Sequence, residues 1–347
     1  MSAGNPEKFP WGRNEPGLRS RLVVALVIAV ASSVLHYFRA AQNGGLSDFG
    51  TVWHGARLML HGSNPYALIG PGRMIELPSP PYYPAPAFVS AIPFTVLPLH
   101  LASTAFVFLS SFLLAFGATR DSWHHLPLFP SVAFITSAQL SQWSILFTAA
   151  AFIPAISFFG VVKPQSSIPV IARDTSSRSL VFAAVGTIVL GGISFLLLPT
   201  WPRDWWALIR TSDHFSPPIA RYAGPLIALV LLKWKRPEAW LVFIAACFPQ
   251  TWYPYNSLVL LIVAATYREA SMLSLISTAG WVAAALLVSG PSRSPEVRAA
   301  GEAALIFACF LPATIVVLTR KNVSPSPYWI QRFLRKEGSI ILGDSGR

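Results

Sequence analysis

The runs LVVALVIAVASSVL at Leu22–Leu35 and LVFAAVGTIVLGGISFLLL at Leu180–Leu198 carry no charged residue over 14 and 19 positions. Strands of membrane barrels alternate polar and apolar residues over about 9–11 positions, so uncharged runs of this length favour helices. Hydrophobic residues make up 53% and charged residues 12% of the 347 positions, whereas a water-soluble domain has about 25% charged residues. The sequence therefore predicts an all-α, polytopic transmembrane bundle, with about 9–11 membrane segments at roughly 20 residues per span.

Basic residues cluster at the ends of the apolar runs, and the formal net charge is +12. Arg19 and Arg21 precede the first run, while Arg320 and Lys321 follow the last. Lysine and arginine are retained on the cytoplasmic side of a membrane, so we interpret the charge as an orientation signal rather than as nucleic-acid binding. The expected organisation of this multi-pass plasma-membrane protein is a cytoplasmic tail at 1–18, a transmembrane domain at 19–320 with an outer loop at 41–83, and a cytoplasmic tail at 321–347.

The middle of the chain does not divide into ordinary spans. The apolar stretches 86–98 and 128–138 are short for a crossing, and Pro154 interrupts the stretch 144–162. Irregular backbone at membrane depth is tolerated only where it is buried in protein or lines a cavity. We therefore expect at least one of these stretches to be re-entrant or a broken half-helix beside a cavity.

The outer loop contains a short amphipathic segment. Residues Asp48–Leu60 have helical periodicity, and Gly62, Asn64 and Pro65 end the pattern. The apolar face is predicted to carry Phe49, Val52, Trp53, Ala56 and Leu60, and the polar face His54, Arg57 and His61. A helix of this kind is expected to lie in the membrane interface with its apolar side down.

Asp48 is the first candidate for a catalytic residue. None of the 14 acidic residues lies in the middle of an apolar run, which argues against a proton- or ion-coupled pump. Asp48 falls where the first helix gives way to the outer segment, and a carboxylate there can act as a general base toward an acceptor hydroxyl. Ser47 and Asp48 are also favoured helix N-caps, so the catalytic and the capping interpretations both stay open.

Several polar side chains are candidates for substrate binding. Arg57, with His54 on the same stripe, is suited to holding a phosphate, although a snorkelling contact with lipid headgroups is the more common role. Lys163 ends an apolar run, where a lysine often only compensates the helix dipole. Gln139 and Gln142 are expected either to bind a sugar hydroxyl or to form hydrogen bonds between helices.

Other chemistries have no support in the sequence. The chain has no GxxxxGK[ST] phosphate loop, no HExxH motif, no Cys/His metal cluster and no Asp-x-Asp pair. Cys247 and Cys309 lie in apolar runs and are interpreted as small buried side chains. Trp252 fits an aromatic belt at the membrane interface, with stacking on a sugar ring as the alternative.

Three blocks of the outer segment form a further pattern. They are Ser47-Asp48-Phe49 with Trp53 and Gly55-Ala56-Arg57, then Gly62-Ser63-Asn64-Pro65-Tyr66, then Tyr83-Pro84-Ala85-Pro86. Together they resemble the N-terminal signature of glycosyltransferase family 87, also called DUF2029. Weaker matches follow at Gln139-Leu140-Ser141-Gln142, Lys163-Pro164-Gln165 and Pro249 with Thr251-Trp252, and Tyr255 stands about where family members often carry a histidine.

The resemblance implies a GT-C membrane enzyme similar to polyprenol-phosphate-mannose-dependent mannosyltransferases. Such a hexosyltransferase moves a sugar, here expected to be mannose, from a polyprenyl-phosphate donor to a hydroxyl of a glycolipid or polysaccharide on the outer face, with inversion. Asp48 matches the base of these enzymes, and Arg57 matches a position near the donor phosphate. The other expected binding residues are His54, Lys163, Tyr66, Tyr83, Gln139, Trp252 and Tyr255. No metal or cofactor is expected, because polyprenyl phosphate is a good leaving group.

Two other functions fit a bundle of this kind. A non-catalytic transporter of a lipid or sugar-lipid needs two gates and polar residues in mid-span, and the sequence has few of these. An accessory subunit of a membrane complex needs no cavity at all. The enzyme interpretation requires Asp48 to face a cavity, and this requirement distinguishes an enzyme from an accessory subunit.

Overall fold

The computed structural model describes residues 16–42, 47–212, 216–288, 294–323 and 325–334, and in these ranges every extended regular element is a helix. The α-helices are α1 Leu18–Gln42, α2 Asp48–Leu60, α3 Pro65–Leu68, α4 Ala85–Ala91, α5 Leu99–Ala118, α6 Val132–Gln139, α7 Trp143–Ala149, α8 Pro164–Ala172, α9 Arg178–Leu197, α10 Trp201–Arg210, α11 Pro237–Cys247, α12 Tyr267–Leu287, α13 Pro295–Ala303 and α14 Leu311–Leu318. The 3₁₀-helices are Ile92–Val96, Leu126–Leu128, Pro154–Val162, Pro218–Ala220, Gly224–Lys233 and Pro254–Val263, and Ala304–Phe310 is a π-helix. The expected tails fall mostly on residues 1–15 and 335–347, outside the described residues.

Five of the described helical segments are long and apolar enough to cross a membrane. They are α1, α5, α9, α12 and the continuous segment Pro295–Leu318. Only 17% of the apolar window of α1, and the same share of α9, is buried inside the protein. So large an exposed apolar surface requires a bilayer to cover it. The predicted all-α, multi-pass membrane architecture is therefore confirmed.

The apolar segment that follows the outer loop does not cross the bundle. It consists of α4 and Ile92–Val96, and it starts beside Asp48, whose carboxylate accepts a hydrogen bond from the Tyr83 hydroxyl at 3.2 Å. It ends at α5, where the His100 ring packs on the Tyr37 ring, 6.3 Å away, near the C-terminal end of α1. Both ends lie at the same end of α1, so this segment enters and leaves the bundle on one side.

Four short segments occupy the centre of the chain, namely α6, α7, Pro154–Val162 and α8. The seven residues of α7 extend about 10 Å, well short of the ~30 Å hydrocarbon layer. After α7, Phe152 packs on Gly117 at the far end of α5, and the chain then returns to Lys163. The turns at Gln142 and Lys163 therefore lie inside the bundle, as expected of broken segments that line a cavity.

The helix α2 has the predicted bounds, and its burial follows the predicted faces with one exception. Eight of its 13 residues are buried, against α4, the 3₁₀-helix after it, and α5. Leu60, assigned to the apolar face, is 50% exposed, whereas Met59 is buried. A Cβ atom at Gly55 would lie 2.4 Å from the Phe88 ring, so the absence of a side chain there lets α4 pack closely. The predicted apolar face is therefore buried except at Leu60, and the predicted polar face is half-buried to exposed. Protein covers further residues beside the apolar face as well, since this helix packs against several neighbours.

Polar contacts divide the described part of the bundle into two ends. At one end Arg320 bonds to the carboxylates of Glu238 and Glu269 at 3.2 and 2.5 Å. At the other end, beside α2, the Asn64 amide donates to the Asp204 carboxylate at 2.8 Å. The helical segment Pro295–Leu318 contacts the cavity residue Trp252 at Gly301 and runs on to Leu318, so the basic residues after α14 lie at the opposite end from the 47–83 segment. This arrangement is consistent with the expected cytoplasmic tail and outer loop.

Cysteine labelling tests which end faces outward. Cys309 is buried as expected, but Cys247 is exposed, so both are first replaced by serine. We expect Ser63→Cys to react with a membrane-impermeant maleimide in intact cells, because it follows α2 in the outer segment. Lys321→Cys, at the opposite end, should react only after permeabilisation. The reverse pattern would overturn the assigned orientation.

Candidate functional site

The first turn of α2 assigns the capping role to Ser47 rather than to Asp48. The Ser47 hydroxyl accepts a hydrogen bond from the Gly50 backbone N–H at 3.1 Å, which satisfies a donor that the helix itself leaves unpaired. The Asp48 carboxylate makes its contacts elsewhere, with the side chains of Tyr83 and Gln142. The capping interpretation of Asp48 is therefore excluded, because Ser47 supplies the cap, and the catalytic interpretation stays open.

A buried amide links Asp48 to Lys163. The Gln142 side chain is fully buried, and its Nε2 donates to Oδ2 of Asp48. Its Oε1 accepts a hydrogen bond from Nζ of Lys163 at 3.0 Å. The opposite amide orientation would place an oxygen against the carboxylate and an N–H against the amino group, so the two partners fix the flip of the amide. Gln142 thereby holds an acidic and a basic group on either side of one planar group.

The turn before Gln142 is tied to two neighbouring helices. The Asp48 backbone N–H donates to the Leu140 carbonyl at 3.1 Å, and Ser141 adopts a left-handed φ of 46°. The Gln139 carbonyl contacts Nδ1 of His36, on α1, at 3.0 Å. The sequence offered both Gln139 and Gln142 as polar candidates and the family resemblance favoured Gln139, but the reversal at Ser141 directs Gln142 to Asp48 and leaves Gln139 at the turn.

Tyrosine rings surround the Lys163 amino group, which is in a residue only 6% exposed. Its Nζ lies 5.8 Å from the centroid of the Tyr83 ring and 5.3 Å from that of Tyr255. Burial, together with the nearby Asp48 carboxylate, raises the pKa of Tyr83 well above its ordinary value, so its hydroxyl keeps the proton that it donates to Asp48. Tyr66 supports this arrangement by donating to the Tyr83 carbonyl at 2.9 Å.

These groups open onto a cavity of about 690 Å³, within the range of about 300–1,000 Å³ typical of small-molecule sites. Its charged lining residues among those described are Arg39, Asp48 and Lys163. Prolines and tyrosines of the 77–84 segment form one wall, and residues 250–256 form another. The lining also includes Ser47, Thr51, Leu140, Val162 and Gln165. The cavity thus combines one carboxylate, two basic side chains and aromatic rings.

The aromatic wall is held by α13. The Trp252 ring lies 5.3 Å from the guanidinium of Arg298, which in turn bonds to Glu302 at 3.0 Å. A Cβ atom at Gly301 would lie 2.6 Å from the Trp252 ring, so the helix and the ring are in close contact. Trp252 is 5% exposed and lines the cavity rather than lying free in an aromatic belt.

The structure brings together some of the predicted site residues and not others. The cavity lining includes Asp48, Tyr83, Lys163, Trp252 and Tyr255, and Tyr66 lies behind it. Arg57 and His54 are not among the lining residues. The Arg57 guanidinium lies 5.0 Å from the Trp53 ring on an exposed part of α2. Burial and the neighbouring Arg57 lower the pKa of His54, so its imidazole is neutral at pH 7 and a weak partner for a phosphate.

Two residues of the site were not predicted as such. Gln142 was a candidate only alongside Gln139, which was preferred, and Arg39 was not considered because it ends an apolar run in the manner of an ordinary interfacial arginine. The position of Arg39 within one helical turn of the outer segment was the signal in the sequence that could have identified it. Among the described residues no group of three His, Cys, Asp or Glu side chains could hold a metal ion. Metal independence of any reaction nevertheless stays a prediction.

Comparison with known proteins adds nothing to this geometry. No protein-family model, no curated protein and no solved structure matches the chain. The resemblance to glycosyltransferase family 87 therefore rests on the quoted motifs alone. Any function has to be argued from the cavity and its side chains.

Replacing the central amide tests the buried link. Gln142→Leu leaves Lys163 without its acceptor and Asp48 without one of its donors, so we expect the free energy of unfolding to fall by about 1–3 kcal/mol. The measurement is thermal unfolding of the purified protein in detergent. Gln139→Leu is the matched control, because the half-buried Gln139 makes its contact with His36 through the backbone carbonyl, which the substitution retains. Equal losses from both variants would contradict the link.

Proposed function

We propose that this protein is a membrane glycosyltransferase that moves a hexose, mannose by family resemblance, from a polyprenyl-phosphate donor to a hydroxyl acceptor. The observation that carries the proposal is that Asp48, relieved of helix capping, lines a large cavity that also contains basic and aromatic side chains. A carboxylate at a cavity wall can take a proton from an acceptor hydroxyl. Aromatic rings such as Trp252 offer flat apolar faces on which a sugar ring can stack.

The proposed reaction is a single displacement with inversion. The acceptor oxygen forms a bond to the anomeric carbon on the face opposite the phosphate, while Asp48 takes the hydroxyl proton. The bond between the anomeric carbon and the phosphate oxygen breaks, and polyprenyl phosphate leaves with the electron pair. Negative charge increases on the departing phosphate, and basic groups in a water-poor cavity stabilise it more strongly than they would in water.

The side chains around Asp48 support its role as a base. The hydroxyl of Tyr83 and the amide of Gln142 both donate to Oδ2, which leaves Oδ1 without a side-chain donor among the described residues. Two donors on one oxygen fix the orientation of the carboxylate. The other oxygen is then the one that faces an acceptor hydroxyl, so proton transfer requires no rearrangement of the side chain.

A lipid transporter or an accessory subunit remains the alternative to an enzyme. Neither requires proton transfer, so each predicts that a neutral, isosteric side chain at Asp48 is tolerated. The buried ring of contacts around Asp48 would then serve stability alone. Measuring activity and stability on the same variant separates these functions.

The catalytic assignment predicts that Asp48→Asn abolishes transfer to below a few per cent of wild type, because an amide accepts no proton. Folding should be largely retained, since Ser47 supplies the cap. Asp204→Asn is the matched control, an aspartate at the same end that bonds to Asn64 and Thr200 outside the cavity lining. Transfer of labelled sugar in membranes measures both variants. Substantial activity of Asp48→Asn would refute the assignment of the base.

The donor assignment predicts transfer from a purified polyprenyl-phosphate sugar, in the presence of EDTA. The sequence contains neither a Gly-rich phosphate loop nor an Asp-x-Asp pair for a nucleotide sugar and its metal. Purified protein is therefore expected to be inactive with GDP- or UDP-sugars in the absence of a lipid carrier. Activity with a nucleotide sugar would refute the donor class, and loss of activity in EDTA would refute only the metal-free mechanism.

A further inference from the structure

Arg39 is a basic residue of the cavity that the contacts described so far leave without a function. It lies in the last turn of α1 and contributes to the cavity lining together with Asp48 and Lys163. Its Nε is buried, yet it has no hydrogen-bond partner within the described part of the chain. A buried N–H of a charged group that lacks an acceptor costs free energy, so an anionic acceptor in the cavity would be stabilised there.

The other basic side chain of the cavity is already engaged. Lys163 donates to Gln142 and is enclosed by the rings of Tyr83 and Tyr255. Burial readily removes the charge of a lysine, whereas an arginine stays charged and presents a planar fork of donors that matches phosphate oxygens. Of the two, Arg39 is therefore the better partner for a phosphate.

The position of Arg39 also favours a lipid as the source of the phosphate. The α1 residues near it present apolar side chains outward, with Val34 48% and Phe38 63% exposed. In a bilayer this surface contacts acyl or prenyl chains, while the end of the helix lies at headgroup depth. A lipid whose chain lies along α1 would bring its phosphate to the cavity at Arg39.

We propose that Arg39, and not the sequence candidate Arg57, binds the phosphate of the lipid donor, and that this lipid enters the cavity beside the outer end of α1. The inference rests on the proposed function, since it assigns the donor site of that reaction. It commits to a lipid monophosphate ester, in which the terminal oxygens are free for a bidentate contact. A phospholipid headgroup, whose phosphate is esterified on both sides, is the competing source of the same chemistry.

Binding of polyprenyl phosphate to the purified full-length protein in detergent tests the assignment, with native mass spectrometry as the readout. We expect Arg39→Ala to weaken binding by about 10- to 100-fold, and Arg39→Lys to restore part of the loss. Arg57→Ala is the matched control and should bind as wild type does, because Arg57 lies outside the cavity lining. Thermal unfolding of each variant verifies that the bundle is intact.

Each remaining outcome overturns a defined part of the proposal. Wild-type affinity of a folded Arg39→Ala variant, or a loss confined to Arg57→Ala, would refute the role of Arg39 and leave the transferase proposal standing. Equal displacement of polyprenyl phosphate by phosphatidylglycerol or by inorganic phosphate would refute a dedicated donor site and identify a general anion contact. Failure of the wild-type protein to bind any lipid monophosphate would refute both proposals.

Discussion

The hydrogen-bonded chain from Asp48 through Gln142 to Lys163 is the interaction on which the candidate site depends. Its members come from the start of α2, from the turn after α6, and from the junction before α8. Each is costly to bury alone, since an unpaired polar group in a low-dielectric interior loses its hydration without compensation. Linked by one amide, they fix three separate parts of the chain at one point in the bundle.

The short central helices make this convergence possible. A full membrane-spanning helix satisfies all of its backbone hydrogen bonds and leaves its ends at the membrane surfaces. The segments α6, α7, Pro154–Val162 and α8 end partway through the bundle, so their turns lie among the long helices. The long helices α1 and α9 face lipid over most of their surface and shield this irregular core. Polar residues at the turns therefore reach a cavity that an uninterrupted bundle would not contain.

The cavity is lined by two basic side chains and one carboxylate, and this balance of charge suits a reaction with an anionic leaving group. One carboxylate, Asp48, is oriented by two donors, while Arg39 and Lys163 approach from different helices. The amino group of Lys163 is oriented toward the Gln142 amide, whereas Arg39 belongs to the lipid-facing helix α1. The proposed base and the proposed phosphate-binding residue are thus held by different elements, which allows a donor and an acceptor to enter from different directions.

The sequence alone determined the all-helical membrane architecture and the bounds of α2, because uncharged length, helical periodicity and turn residues are local signals. It also singled out Asp48, which the structure places in the cavity lining. It could not decide between Gln139 and Gln142, and it pointed to Arg57 rather than to Arg39, which lines the cavity. Those choices depend on which way a side chain points after a turn, and on which helices pack against it. The left-handed turn before Gln142 and the packing of α2 against α4 and α5 are set by contacts between residues far apart in the chain, so only the tertiary structure selects the side chains that share the cavity.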